Sequence, residues 1–153
     1  MKVFVNDLDS DTINIVDYNG QTTTYSVRQE LAVNEQNYQQ EFIAQPAKYA
    51  FWSAVLQQAK YVLSSQQNAL EKVHAELYND VNVRLVGEGM RPTKDLIEAQ
   101  IILDDRYQEA LSRVDTCEYS VSQVQYLVKA FEQRKDMLVQ FGADMRKDSN
   151  YGN

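Results

Sequence analysis

Two hydrophobic rhythms divide the chain. Over residues 1–27 the apolar residues sit in short strand-like runs: Lys2-Val3-Phe4-Val5, then Thr12-Ile13-Asn14-Ile15-Val16-Asp17-Tyr18, then Gln21-Thr22-Thr23-Thr24-Tyr25-Ser26-Val27. β-branched and aromatic residues of this kind suit a pleated, half-buried surface. The Asn19-Gly20 dipeptide between the last two runs predicts a two-residue type I′ hairpin, because both central residues of that turn need positive φ. A lone hairpin is marginal in water, so it must dock on the rest of the chain or on another copy.

From Arg28 onward the spacing becomes helical. Residues 28–45, rich in Gln and Glu with scattered Leu31, Val33, Tyr38, Phe42 and Ile43, predict one helix. Pro46 suits the first turn of the next. Beyond it, Tyr49, Trp52, Leu56, Ala59, Leu63, Leu70, Val73 and Leu77 recur at alternating spacings of three and four, with Gln66 as the one polar interruption. That is a heptad seam.

Gly87-Glu88-Gly89-Met90-Arg91-Pro92 breaks the pattern. Thr93 is placed to cap a short helix through Lys94–Glu98. A second long helix then carries Leu103, Tyr107, Ala110, Val114, Cys117, Val121, Val124, Val128, Phe131, Leu138 and Met145 on its seam, with Lys135 and Gly142 as misfits. Helices of about 40 residues reach roughly 60 Å, and two joined by a short break most easily fold back antiparallel. The expected fold is therefore mainly α: a long antiparallel helical hairpin or coiled coil with a small N-terminal β-hairpin. Its parts are a hairpin at 1–27, a helical body at 28–148 and a flexible polar tail at 149–153.

The second long helix also carries Leu111, Tyr126, Leu127, Val139 and Phe141 off the seam. A stripe that wide exceeds what one partner helix covers, which predicts a homo-oligomer. Val121, Val124, Val128, Phe131 and Leu138 are its candidate oligomerisation residues. The alternative is a compact monomeric bundle in which residues 28–45 form the third rod.

Charge changes the picture more than any motif does. There are 22 acidic and 15 basic side chains, for a net −7. Such a balance excludes a wholly basic nucleic-acid glove but leaves room for a local basic strip. Residues 1–45 hold two basic and seven acidic groups, whereas residues 46–92 hold five and four. Basic side chains thus gather on the first long helix and its exit (Lys48, Lys60, Lys72, Arg84, Arg91, Lys94) and near the C-terminus (Lys129, Arg134, Lys135, Arg146, Lys147).

Catalytic chemistry finds little to work with. One cysteine, Cys117, and one histidine, His74, exclude a disulfide framework and most multi-histidine metal sites. Asp7-Leu8-Asp9-Ser10-Asp11 imitates the start of a calcium loop but lacks its glycine and its closing glutamate. Cys117 reads as core, His74 as a partly solvated helical residue, and the Asp104-Asp105 pair as acids placed at a helix start. No Gly-rich phosphate loop has the required spacing. The expectation is a non-enzymatic protein with no cofactor or metal. No apolar run approaches the roughly 18 residues of a membrane span and no signal peptide opens the chain, so a soluble intracellular protein is expected.

Residues 46–148 resemble the phage recombination-mediator family typified by UvsY. The likeness rests on Tyr49-x-x-Trp52 opening a long helix, the Gly-containing break at 87–89, Leu96 to Val114 with Asp104-Asp105, Ala130-Phe131-x-x-Arg134, and the terminal Asp144-Met145-Arg146. The resemblance implies a non-enzymatic oligomeric ring that binds single-stranded DNA. It further implies help in loading a RecA-like recombinase onto strands covered by single-strand-binding protein, in the cytoplasm of an infected or lysogenic bacterial host. The family's DNA-binding basic residues lie late in the first long helix; here Lys72 and Arg84 remain, and with Arg91 and Lys94 they are the candidate DNA contacts. Arg134, Lys135, Arg146 and Lys147 form the fallback cluster. The competing reading is a structural or scaffolding coiled-coil phage protein without a DNA role.

Overall fold

The structure, a computed structural model, describes residues 2–5 and 11–151. It is mainly helical with a small antiparallel sheet. In chain order come β1 (Lys2–Val5), β2 (Thr12–Val16), β3 (Thr22–Ser26), α1 (Val27–Leu31), one 3-10 turn (Glu35–Asn37), α2 (Tyr38–Gly87), α3 (Lys94–Ile102) and α4 (Asp105–Tyr151). Two compact units share these elements: Met1–Ala59 with Ser120–Asn153, and Lys60–Tyr119.

In the first unit the sheet has the order β1-β2-β3, so the expected hairpin gains a third strand. Lys2 lies opposite Val16, and Val16 opposite Thr22. The turn also differs from the type I′ expectation. Only Gly20 has positive φ, at 82°, and Asn19 does not. The Gly20 N–H donates to the Asp17 carbonyl at 3.2 Å and the Asp17 N–H to the Gln21 carbonyl at 2.9 Å. That is a three-residue loop, a type I turn closed by a left-handed glycine. Asp17 decides it: its Oδ1 accepts from the N–H groups of Asn19 (2.8 Å) and Gln21 (2.9 Å), which fixes the chain in the Asx geometry.

The sheet docks on its own chain. Ile13 and Ile15 are buried, and Tyr25 meets Trp52 edge-on with ring centroids 5.2 Å apart. Trp52 is fully buried and donates its indole N–H to Glu30 Oε2 at 3.3 Å. Ser26 caps α1 by accepting from the Gln29 N–H, and Asp11 holds the same junction through the Arg28 N–H at 2.9 Å.

Residues 28–45 do not form one helix. α1 stops at Leu31, and α2 begins at Tyr38 and runs straight through Pro46. The proline sits on an exposed face, so water can serve the Phe42 carbonyl that its missing N–H leaves unpaired. Contacts between α2 and α4 in this unit advance in opposite directions along the two helices, which makes them antiparallel. Tyr38 Oη donates to the Leu138 carbonyl, Gln45 Nε2 to the Phe131 carbonyl at 2.7 Å, and Tyr49 Oη to Glu132 at 3.2 Å.

Two misfits on the α4 seam resolve here. Arg134, rather than Lys135, takes the inward position, with its side chain 3% exposed. It donates to the carbonyls of Leu31 (3.2 Å) and Ala32 (3.1 Å), to Gln45 Oε1 and to Glu41 Oε2 (2.5 Å). Gly142 is buried because the Tyr38 ring lies on it: a Cβ there would stand 2.9 Å from Tyr38 Cζ. The helix continues to Tyr151, so residues 149–151 of the expected tail are helical.

Candidate nucleic-acid interface

The second unit contains the break that the sequence marked. Its core is Leu77, Val81, Leu85, Ile97 and Ile101, with Val73, Tyr78, Leu96 and Tyr107 packed against it. Leu103, expected on the seam of the second long helix, is exposed instead, because α4 starts two residues later.

α2 ends in a Schellman motif. The Met90 N–H donates to the Leu85 carbonyl at 2.9 Å and the Gly89 N–H to the Val86 carbonyl at 3.0 Å. Gly89 supplies the left-handed step, φ 73°, that this motif needs. Pro92 follows, and the Thr93 side chain accepts from the Leu96 N–H at 3.3 Å to cap α3 as the sequence predicts. The result is a short turn whose backbone is fixed at both ends.

Arg84, Arg91 and Lys94 are exposed on and beside this turn. Arg84 donates to Gln100 Oε1 at 3.0 Å, and its charge also acts on the Asp104 carboxylate, which it helps to hold ionised. Among the described residues neither Arg91 nor Lys94 makes an ion pair or a side-chain hydrogen bond. Glu88 is the one acid between residues 84 and 94, with Asp95 just beyond.

Lys72 stands apart from the other three candidate contacts. Twelve residues before Arg84, it is about 18 Å along the helix and about 120° around it. It is also paired, at 3.8 Å, with Glu76 one turn on.

Around the start of α4, Asp104 acts as the cap, its Oδ1 accepting from the Arg106 N–H at 2.9 Å. The Arg106 guanidinium folds back onto it at 3.2 Å and reaches Asp80 at 3.3 Å. Hydrogen bonds from the Arg106 side chain, and then from its backbone, hold the Asp104 carboxyl below its ordinary value, while Asp104 raises Arg106. His74 Nε2 lies 2.9 Å from Glu98 Oε2, with both side chains about one-third exposed. Cys117 is half-buried, and burial pushes its thiol up and away from reactivity. Among the described residues no three His, Cys, Asp or Glu side chains gather closely enough to hold a metal ion. The calcium-loop imitation falls almost wholly outside the described residues.

Two other sets of candidates move. Arg134 of the fallback DNA cluster is buried and saturated in the first unit, so phosphate cannot reach it. Lys135 and Lys147 are paired with Asp136 (3.1 Å) and Asp144 (3.6 Å). Arg146 is exposed but makes contacts of its own. The candidate oligomerisation residues Val121, Val124, Val128, Phe131 and Leu138 are no more than 9% exposed in a single chain. Their apolar surface is already covered by the chain's own residues, which leaves these five side chains little area to offer a second copy. Of the off-seam residues, Tyr126 and Val139 are exposed while Leu127 is buried.

No helix among the described residues is long and apolar enough to cross a membrane. No protein-family model, curated protein or solved structure matches the chain.

Proposed function

We propose that the protein is a non-enzymatic recombination mediator that binds single-stranded DNA as a homo-oligomer. In this reading it helps load a RecA-like recombinase onto strands covered by single-strand-binding protein, within the cytoplasm of an infected or lysogenic bacterial host. The observation that carries the reading is the turn between α2 and α3, where Arg91 and Lys94 are exposed without an ion pair among the described residues, next to an exposed Arg84, on a chain that is otherwise net acidic. A turn whose backbone is fixed by the Gly89 step and the Thr93 cap adds no loop-ordering cost to that of the side chains themselves on binding. One turn per subunit binds phosphate weakly; several linked in an assembly sum to avidity and hold strand segments in readiness for filament nucleation. Lys72 is not part of this site.

The test is fluorescence anisotropy with labelled oligo-dT across a range of salt. The wild type binds, and affinity falls with salt as counterions are released. The triple variant R84A/R91A/K94A keeps its helicity but binds less tightly, with a salt slope shallower by about 2 per chain. Unchanged affinity in that variant would place the contact elsewhere. No binding by the wild type at low salt would leave the scaffolding reading, which the uncharged helix face described next favours.

A further inference from the structure

Between Phe42 and Ala59, α2 carries a single charged side chain, Lys48, and that amine is turned toward the Glu30 carbonyl at 3.3 Å. The helix face pointing away from Trp52 holds Ile43, Pro46, Ala47, Ala50, Ala54 and Gln57, all exposed, with Phe51 at its edge. Ile43 is 76% exposed and Phe51 42%. The helix therefore turns an uncharged, largely apolar strip of its own, about 21 Å long, toward solvent.

From this strip we infer that the surface through which two copies of the chain meet is the outer face of α2, paired antiparallel with itself about the midpoint between Ala47 and Ala50. The proposal rests on the assembly reading above and names its contact. Two features point to a second copy as the occupant. First, the face is self-complementary across a two-fold axis: each large residue falls opposite a small or flat one. Ile43 meets Ala54, Pro46 meets Phe51, Ala47 meets Ala50, and Gln40 meets Gln57, whose amides can donate and accept in both directions. Alanines at the centre let the helix axes approach to about 8 Å. Second, two identical chains of net −7 repel wherever like-charged faces meet, and α2 contributes no charge to this face. The charges that border it, Arg146 beside Ile43 and Glu132, Lys135 and Asp136 beside Pro46, are of mixed sign. The strip is short for a specific interface, so association in roughly the micromolar range is expected.

Sedimentation at micromolar concentrations, beside circular dichroism, tests this. The wild type is a dimer through this closed two-fold contact. Ala50→Glu, a helix-compatible change at a position exposed in the single chain, keeps the helicity but sediments as a monomer. Its dissociation constant rises by roughly tenfold or more, because two unpaired carboxylates would be buried across the axis. Register is read separately, in a Cys117→Ser background. Chains carrying Ala47→Cys mixed with chains carrying Ala50→Cys cross-link to each other on oxidation; Ala47→Cys linking mainly to itself would mean a parallel contact and would overturn the pairing. An Ala50→Glu chain that stays assembled would overturn this interface alone. A monomeric wild type would sink the interface and the assembly together, while oligo-dT binding decides the DNA reading independently.

Discussion

Arg134→Leu should separate a structural arginine from a DNA-binding one. The leucine roughly conserves the buried stem but removes donors to four acceptors: the Leu31 and Ala32 carbonyls, Gln45 Oε1 and Glu41 Oε2. Breaking a buried ion pair by removing one partner costs about 3–5 kcal/mol. Here the Glu41 side chain is 21% exposed. Its stranded carboxylate can recruit water, which puts the cost near the lower end, at about 3 kcal/mol. For a domain of this size that lowers the melting temperature by roughly 6–12 °C. Urea unfolding followed by circular dichroism reads the loss directly. The double change Glu41→Leu plus Arg134→Leu should recover part of it, because no lone charge then stays buried. A loss below about 1 kcal/mol would refute the reasoning, since it is within the ordinary range for surface changes. So would an Arg134→Leu chain of normal stability that had lost its affinity for oligo-dT.

Two further outcomes follow from single positions. Gly142→Ala, which on an open helix would stabilise by about 1 kcal/mol, should here destabilise by roughly 1–3 kcal/mol because the new methyl meets the Tyr38 ring; thermal melts of Gly142→Ala with and without Tyr38→Leu check it, and the second change should relieve the first. The Asp104 carboxyl titrates below its ordinary 3.8 in the folded chain, so its contribution is present above that pH and is lost as pH falls through the lowered value; Asp104→Asn should flatten the dependence of the urea midpoint on pH in that acid window and leave it unchanged where no carboxylate protonates.

The heptad spacing and the glycine-rich break were enough to place the two long helices, the cap at Thr93 and the turn that carries Arg84, Arg91 and Lys94. What the spacing could not reveal was which partner each seam would find. Val124 and Phe131 look the same in sequence whether they face another copy or the rest of their own chain, and the burial in a single chain decides for the latter. Arg134 was hidden for a related reason: a charge on a seam reads as surface until acceptors from α1 and α2 are brought to it by tertiary folding. Pro46 misled because its preference for a first helical turn is local, while the cost of keeping it mid-helix is small where water can replace the missing donor. In the hairpin, Asn-Gly suggested one turn and the Asp17 side chain selected another.

The placing of Trp52 gives the molecule a built-in optical reporter with a restricted field of view. It is the only tryptophan in the chain, fully buried in the first unit against Tyr25 and tied to Glu30. An indole excluded from water emits at short wavelength, and its emission moves to the red when the sheet lifts away from Trp52 in that unit. Melting confined to Lys60–Tyr119 would leave the emission almost unchanged while ellipticity fell. Superimposing the two signals during unfolding therefore asks whether the two units lose their structure together or one after the other.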